Sequence, residues 1–413
     1  MKRIVSCLLL LAAISLPAAA ADPASGALPK VRAITGFVRL DRADWRHQIA
    51  DTLVVLRRAK EEFAKRGYQV ETVRIATQPL AQLTRGQTEE EALTFLKELD
   101  ALAVKEDFLG NLGPAMMKDS DSPAAMHLLA RFLADAPNFN ASAIIAAEDG
   151  IHWGVIRESA KLVHEVTQSS PRSQGNFNFT GTAMLAPYGP FYPGAWHDGP
   201  GKQFSIGFEG ANVVQEVFAT THGDFAASVA ELTRRVQIYT DAGEAVGQAV
   251  AKATGWEFKG VDPTPAPLGD VSIGDAIERF NSGKFGGSGT MTAALAITTA
   301  VKAVKGNIVG YAGLMVPVME DKRLAERWAE NAYDIDALLA YSAVCGTGLD
   351  TVPLPGDISE ERLAKIFGDV ASLAWKWHKP LSARLQPIKD KKPGDRSDFD
   401  DPYLFNTTLH NLP

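Results

Sequence analysis

The chain is poor in cysteine, with Cys7 and Cys345 the only two among 413 residues. That excludes a disulfide-stapled scaffold and any CxxC zinc or redox pair. No HExxH, GxSxG or strand-following GxGxxG occurs. GKFGGSGT (283–290) carries its lysine ahead of its glycines, the wrong order for a phosphate-cradling Walker loop. It reads as a tight turn whose amides open the next helix, with only a weak pull on an anion. No run of eighteen consecutive apolar residues is present, so nothing reads as a membrane-spanning helix. Fixed-period repeats and low-complexity segments are missing too. So is any excess of base: 42 Lys and Arg face 49 Asp and Glu, a net charge of -7. Phosphate backbones need a basic face, which argues against a nucleic-acid partner.

What the sequence does have begins with a leader. Lys2 and Arg3 precede a largely apolar run, Ile4 to Leu16, then Pro17 and four alanines ending at Ala21. A basic start, a short apolar stretch and small residues describe a secretory signal peptide over residues 1–21. A membrane anchor is the alternative, and it needs a longer run. Losing Lys2 and Arg3 takes the charge from -7 to -9, that is, -7 minus 2. The expected product is exported to a bacterial periplasm, with no membrane attachment after cleavage. Residues 22–28 read as a linker and residues 29–413 as one large α/β domain. Cys345 is then the single thiol of an exported protein, either well buried or useful.

Val31 to Leu40 has the alternation of a strand, and Trp45 to Arg66 has helical apolar spacing behind Asp44 as its cap. Val70 to Ala76 reads as a second strand, which makes a βαβ unit. Helices at 87–104, 122–134 and 151–166 alternate with a loop over 107–117 and a strand over 141–147. A strand at 177–185 runs into a long loop rich in glycine, proline and aromatics, then a strand at 203–208. Long helices follow at 225–253, and a short strand with a proline-rich connector spans 258–270. Helices at 273–280 and 291–304, a buried strand at 308–318, and a last long helix at 359–378 complete the pattern. The tail from Lys389 reads as irregular. Strands alternating with helices give an α/β fold.

Chemistry concentrates in YSAVCGTGLDTVPLPGD (341–357). Cys345 is a candidate nucleophile if His197, His222 or His378 lies near it in space; the alternative is a buried thiol. Gly346 and Gly348 free the backbone to approach a substrate. Asp262, Glu320, Asp321 and Asp350 follow strands, where they suit acid/base work or a hard divalent cation. Asp275 and Asp357 fit helix caps better. His197 and Trp196 sit in the aromatic loop PFYPGAWHDG, and Glu209 follows the strand FSIGF. The resulting assignment is Cys345, Asp350, His197 and Asp262 as catalytic, and Glu209, Trp196, Gly346 and Gly348 as substrate contacts. Glu320, Asp321 and Asp262 are the metal-ligand candidates.

The motifs VDPTPAPLGDVSIGDAIE, GYAGLMVPVMED and YSAVCGTGLDTVPLPGD, with KPLSARLQP and FDDPYL after them, resemble the domain of unknown function family 711, also called uncharacterised protein family 0210. PFYPGAWHDG and FSIGFEGANVV are similar to that family's aromatic loop and following strand. The resemblance implies a large α/β barrel like that of pyruvate formate-lyase and other glycyl radical enzymes. Those enzymes carry their radical glycine in an Arg-Val-x-Gly context. Here the tail reads KKPGDRSDFDDPYL, so Gly394 lacks that context. The expectation is therefore the fold without the radical mechanism.

The sequence supports three functional readings. One is an enzyme acting on a small molecule through carboxylates, a histidine and one cysteine. A second is a non-catalytic periplasmic protein that binds a small molecule or divalent metal. The third is a structural role for the same motifs.

Overall fold

The structure, a computed structural model, describes residues 26–344, 346 and 348–412. The leader, Cys7 and Cys345 lie outside the described residues, and so does the nucleophile role expected of Cys345. The first half of the described chain comprises β1 (Lys30–Val38), α1 (Trp45–Ala64), β2 (Val70–Pro79), α2 (Leu80–Leu83), α3 (Glu89–Glu106), β3 (Leu109–Gly113), α4 (Ala124–Leu133), β4 (Phe139–Ala147), β5 (Gly150–Ile151) and α5 (Trp153–Ser169). A 3-10 helix, Pro171–Asn178, then leads into β6 (Phe179–Ala183) and β7 (Gln203–Glu209). The second half comprises α6 (Ala211–Thr221), α7 (Phe225–Thr254), β8 (Glu257–Asp262), α8 (Ile273–Asn281), α9 (Thr290–Ala303), α10 (Lys322–Ala329), α11 (Ile335–Val344), β9 (Gly348–Pro355), α12 (Glu360–Trp377) and β10 (Leu381–Ile388).

All ten strands join one mixed sheet, in the order β8-β7-β1-β2-β3-β4-β6-β10-β9 with β5 paired to β4. The block β1-β2-β3-β4-β6 is parallel. At its two sides β7 and β10 run antiparallel to it, each with a parallel neighbour, β8 and β9. This is a mixed α/β domain, as the alternation of elements implies. The pairing order ends at β8 and β9, so the sheet as paired is not a closed barrel. Segment 308–317 touches both ends through isolated bridges, Val261 with Ile308 and Pro317 with Asp350. It is not the regular strand that its apolar run predicts.

The two faces of the sheet differ sharply. Ile34, Val73, Ile75, Ala141, Ala143, Phe179, Phe204, Ile206 and Leu385 face the helices and join one large apolar core. The opposite face is polar: Arg32, Thr35, Thr72, Arg74, Asn111, Asn140, Thr180, Glu209, Ser382 and Arg384 alternate with those core residues along their strands. In β1 the register slips between Val31 and Ala33 against β7. That irregularity lets Val31 and Ile34 both reach the core while Arg32 points the other way.

Two strands are disguised as loops. In β3, LGNLG, a Cβ on Gly110 would lie 2.2 Å from the Phe139 ring, and one on Gly113 would lie 2.4 Å from the Gln78 carbonyl carbon. Close packing demands the glycines, and they erase the strand signature. Pro353 and Pro355 do the same in β9, where an end-of-sheet position tolerates the missing N–H groups. Two helix starts also differ from expectation. Asp44 makes no side-chain cap bond to α1. The cap of α12 is Ser359, whose Oγ accepts from Arg362 N, rather than Asp357. At α8 the expected cap does form between Ser272 and Asp275, with Ser272 Oγ accepting from Asp275 N, while the Asp275 carboxylate pairs with Arg279.

Candidate functional site

The polar face of the sheet opens into a cavity of about 680 Å³, a size that suits a small metabolite. Its floor comes from the N-terminal halves of β1, β2, β3, β4 and β6, through Arg32, Glu71, Thr72, Arg74, Leu109, Asn140 and Thr180, and from Ser382 and Arg384 of β10. One wall is the inner tip of the aromatic loop, Phe191 to Pro193. Another is formed by Ala266 to Leu268 and by Tyr311, Met315, Pro317 and Glu320. Asp401 and Tyr403 stand at the mouth, with Asp401 accepting from Gln174 Nε2 at 2.9 Å.

Opposite charges run in one chain across this floor. Lys30 Nζ lies 3.1 Å from Glu71, Arg32 Nη1 lies 3.3 Å from Glu71 and 3.1 Å from Glu209, and Arg32 Nη2 lies 3.2 Å from Glu320. Glu320 in turn pairs with Arg384, whose Nε donates to Asp350 at 2.7 Å. Burial pulls both arginine pKa values down, but the surrounding carboxylates outweigh it and hold them above their ordinary value. Burial raises the Asp350 carboxyl, with Arg384 acting against that rise.

Glu71 and Glu209 form a close carboxyl pair over Arg32. Burial, reinforced by the shared hydrogen bond, pushes Glu209 up to about 8. Burial would raise Glu71 as well, but its bond from Glu209 and the charges of Arg32 and Lys30 bring it below the ordinary range. The pair is thereby set to hold one proton between its two carboxyls, of which Glu209 is the more deeply buried at 2% side-chain exposure against 15%. Because the folded state holds a proton that the unfolded chain releases near 4.5, Glu209 contributes stability that is complete below that pH. The contribution is lost as pH rises toward about 8. Thermal melts across that range should show a falling midpoint in the wild type and a flatter profile in Glu209→Gln. Superimposable profiles would mean that Glu209 does not titrate there.

The sequence-derived candidates separate into three groups. Glu320 and Asp350 line the cavity, and Glu209 lies directly behind it on Arg32. Asp262 and Asp321 do not line it: both are fully buried and saturated by donors. Asp262 accepts from Thr264 N and Oγ1 at 3.0 and 2.5 Å, Tyr311 N at 2.8 Å and Ala312 N at 3.2 Å. Asp321 accepts from Ser272 Oγ at 2.6 Å and Ile273 N at 2.7 Å, and also from Gly274 N and Leu324 N, tying α8 to the start of α10. Burial nonetheless pushes each carboxyl up to about 6. The structure does not bring Glu320, Asp321 and Asp262 to one place: amides and hydroxyls take up the oxygens of the two aspartates, and arginines those of Glu320. Among the described residues no group of three or more His, Cys, Asp or Glu side chains is arranged to hold a metal ion.

The aromatic loop also plays a different part from the one expected. His197 is fully buried, donates from Nε2 to Val38 O at 2.9 Å, and packs on the edge of Phe37. Burial lowers its pKa, which keeps it neutral. Trp196 donates from Nε1 to Leu185 O at 3.0 Å. Neither lines the cavity, because the loop plugs the C-terminal end of the parallel strands through Thr35 Oγ1 to Pro190 O and Asn111 Nδ2 to Ala195 O. Gly346 and Gly348 do not line it either. A Cβ on Gly348 would lie 2.1 Å from Ser382 O, so this glycine serves the pairing of β9 with β10.

Sequence reasoning misses Arg32, Glu71, Arg74, Arg384 and Tyr192. A signal exists for the charged ones: a charge inside an otherwise β-favouring run, as in KVRAITGFV, VETVRIAT and LSARLQPI.

The interlocking of these motifs agrees with comparisons to known proteins. Residues 27–400 match the family described as "Uncharacterised ACR (DUF711)". The chain belongs to the DUF711 family. A UPF0210 protein of Pyrobaculum aerophilum is 30% identical over 384 residues, covering 86% of this chain and 84% of its own length. Those of Carboxydothermus hydrogenoformans and Listeria monocytogenes are 29% and 27% identical over 364 and 356 residues, covering 79% and 77% of their own lengths and 83% and 81% of this chain. In this DUF711 chain the family-like motifs have physical work to do. Gly310 of VGYAG has φ of 75°, and a Cβ there would lie 2.1 Å from Asp262 of VDPTP. The same holds between GDVSIGD and VMED, joined through Ser272 and Asp321.

Proposed function

We propose that the cavity is the active site of an enzyme that moves protons to or from a small organic molecule. The observation that carries this reading is that Glu71, on the cavity floor, and the buried Glu209 both lie on Arg32 Nη1, at 3.3 and 3.1 Å, a placement that lets the two carboxyls hold one proton between them. Paired carboxyls whose environments push their pKa values apart supply a proton donor and an acceptor near neutral pH. Glu71 is placed to exchange the proton with a substrate, and Glu209 to hold and return it. Acid/base chemistry makes use of such a pair at a cavity floor where ligand binding alone does not require one, which favours the enzyme over the binding reading.

Radical chemistry plays no part in this proposal. Gly394 has neither the sequence context nor a place on the cavity wall, and its N–H donates to Leu409 O at 2.8 Å. We read the polar face as the interior of a barrel that segment 308–317 closes. A crystal structure in which that segment leaves either edge strand would open it. Export through residues 1–21 belongs to the same proposal, and an intact N-terminus on the protein recovered from cells would refute it.

The activity test is exposure of the purified protein to pools of small metabolites, with mass spectrometry to find a compound consumed. Glu71→Gln should abolish that consumption, by a factor of at least about 100, while leaving the melting temperature within a few degrees. Undiminished consumption by Glu71→Gln would remove the pair from the chemistry.

A further inference from the structure

Three arginines face the cavity, and two of them are neutralised. Arg32 has Glu71, Glu209 and Glu320 within ion-pair distance, and Arg384 has Glu320 and Asp350. Arg74 is as buried as Arg384, at 6% exposure, and more so than Arg32, yet none of the described carboxylates lies within 4.0 Å of it. Its Nε donates to Thr72 Oγ1 at 2.9 Å, and one face of its guanidinium lies over the Tyr192 ring, 4.9 Å from the centroid. Nη1 and Nη2 have no partner among the described residues, and the side chain lines the cavity. A buried cation without a counter-charge is costly unless a ligand supplies that charge.

We propose that Arg74 is the recognition site for the carboxylate of a small monocarboxylate substrate. With Nε engaged by Thr72, the free Nη1 and Nη2 present the end-on pair of donors that matches the two oxygens of a planar carboxylate. One uncompensated positive charge calls for one negative charge. A phosphate dianion would add a further charge to a cavity already walled by Glu71, Glu320 and Asp350, where like charges repel. The carbon skeleton would lie against Tyr192, Tyr311 and Met315, toward the carboxyl pair and the Glu320–Arg384–Asp350 end of the charge chain. Burial, and then the charge of Arg32, bring Arg74 down to about 10, which leaves it cationic at neutral pH.

This inference rests on the cavity being a small-molecule site, and its test separates the two. Calorimetry and thermal shift at fixed ionic strength would use acetate, lactate, hexanoate, benzoate and inorganic phosphate as probes. At least one monocarboxylate should bind and raise the melting temperature. Arg74→Gln should weaken that binding at least tenfold and melt, without ligand, at or above the wild-type temperature. Arg66→Gln, a surface arginine paired with Glu62, should bind as the wild type does. Phosphate binding tighter than every carboxylate would overturn the assignment, as would no carboxylate binding at all. A ligand-free Arg74→Gln that melts far below the wild type would make Arg74 structural and equally end the proposal. Turnover of a neutral compound untouched by Arg74→Gln would sink the carboxylate and leave the enzyme. Carboxylate binding through Arg74 without turnover of any pool would do the reverse.

Discussion

Arg384→Met should cost about 3–5 kcal/mol of folding stability, the range for removing one partner of a buried ion pair. Arg384 is the only cation within ion-pair distance of Asp350 among the described residues, and it shares Glu320 with Arg32. Methionine fills much of the same volume, so the loss is chiefly electrostatic rather than a cavity effect. Two carboxylates are left in a desolvated site with one arginine, and each then favours its neutral form. The deficit should therefore shrink on acidification, because protonating Asp350 removes the uncompensated charge. Urea unfolding at a neutral and an acidic pH measures both quantities. A loss under about 1 kcal/mol at neutral pH would mean that water already screens the pair, as at an exposed site. A pH-independent loss would point to packing instead.

Asp262→Ala should be comparably damaging, again about 3–5 kcal/mol, by a different route. The carboxylate is fully buried and accepts four hydrogen bonds, three of them from the main chain at Thr264, Tyr311 and Ala312. Alanine leaves those N–H groups buried without acceptors, and each costs about 1–3 kcal/mol before relaxation. Asp262→Asn keeps one acceptor oxygen and should lose roughly half as much. The effect reaches the cavity, because these bonds fix the start of the segment that supplies Tyr311 and Met315 to its wall. Denaturant midpoints for the two variants check the ranking. Equal midpoints for Ala and wild type would show that the loop holds itself without the carboxylate.

Asp262 also marks a limit of linear reading. It looks like a reactive acid because it follows a strand, yet besides the nearby Thr264 it is held by the backbone amides of Tyr311 and Ala312, 49 and 50 residues later. No local pattern distinguishes an acid that reacts from an acid that ties down a distant loop. Asp321 repeats the lesson between α8 and α10. Glu320, one position earlier, faces the cavity and pairs with two arginines. His197 misleads for a related reason. A histidine among glycines, prolines and aromatics reads as an exposed loop residue, yet this loop is packed into the open end of the sheet. The arginines leave only a faint trace in the sequence, because a single charge inside a strand marks a polar face but names no chemistry. It acquires meaning only when neighbouring strands bring other charges to the same face.

Linear order was enough for the α/β alternation, the opening βαβ unit, the family and the acidic character of the region around Glu320 and Asp350. These depend on short-range periodicity and on motifs that survive in linear order. Folding in three dimensions settled which face of the sheet is polar, where the cavity lies and which charges meet there. The reason is that pairing register fixes the neighbours of every strand residue. Arg32 and Arg74 come from the first two strands and Arg384 from the last, and only the order β1-β2-β3-β4-β6-β10 sets them on one floor. Register also decides that two of them arrive beside carboxylates while Arg74 arrives beside none among the described residues.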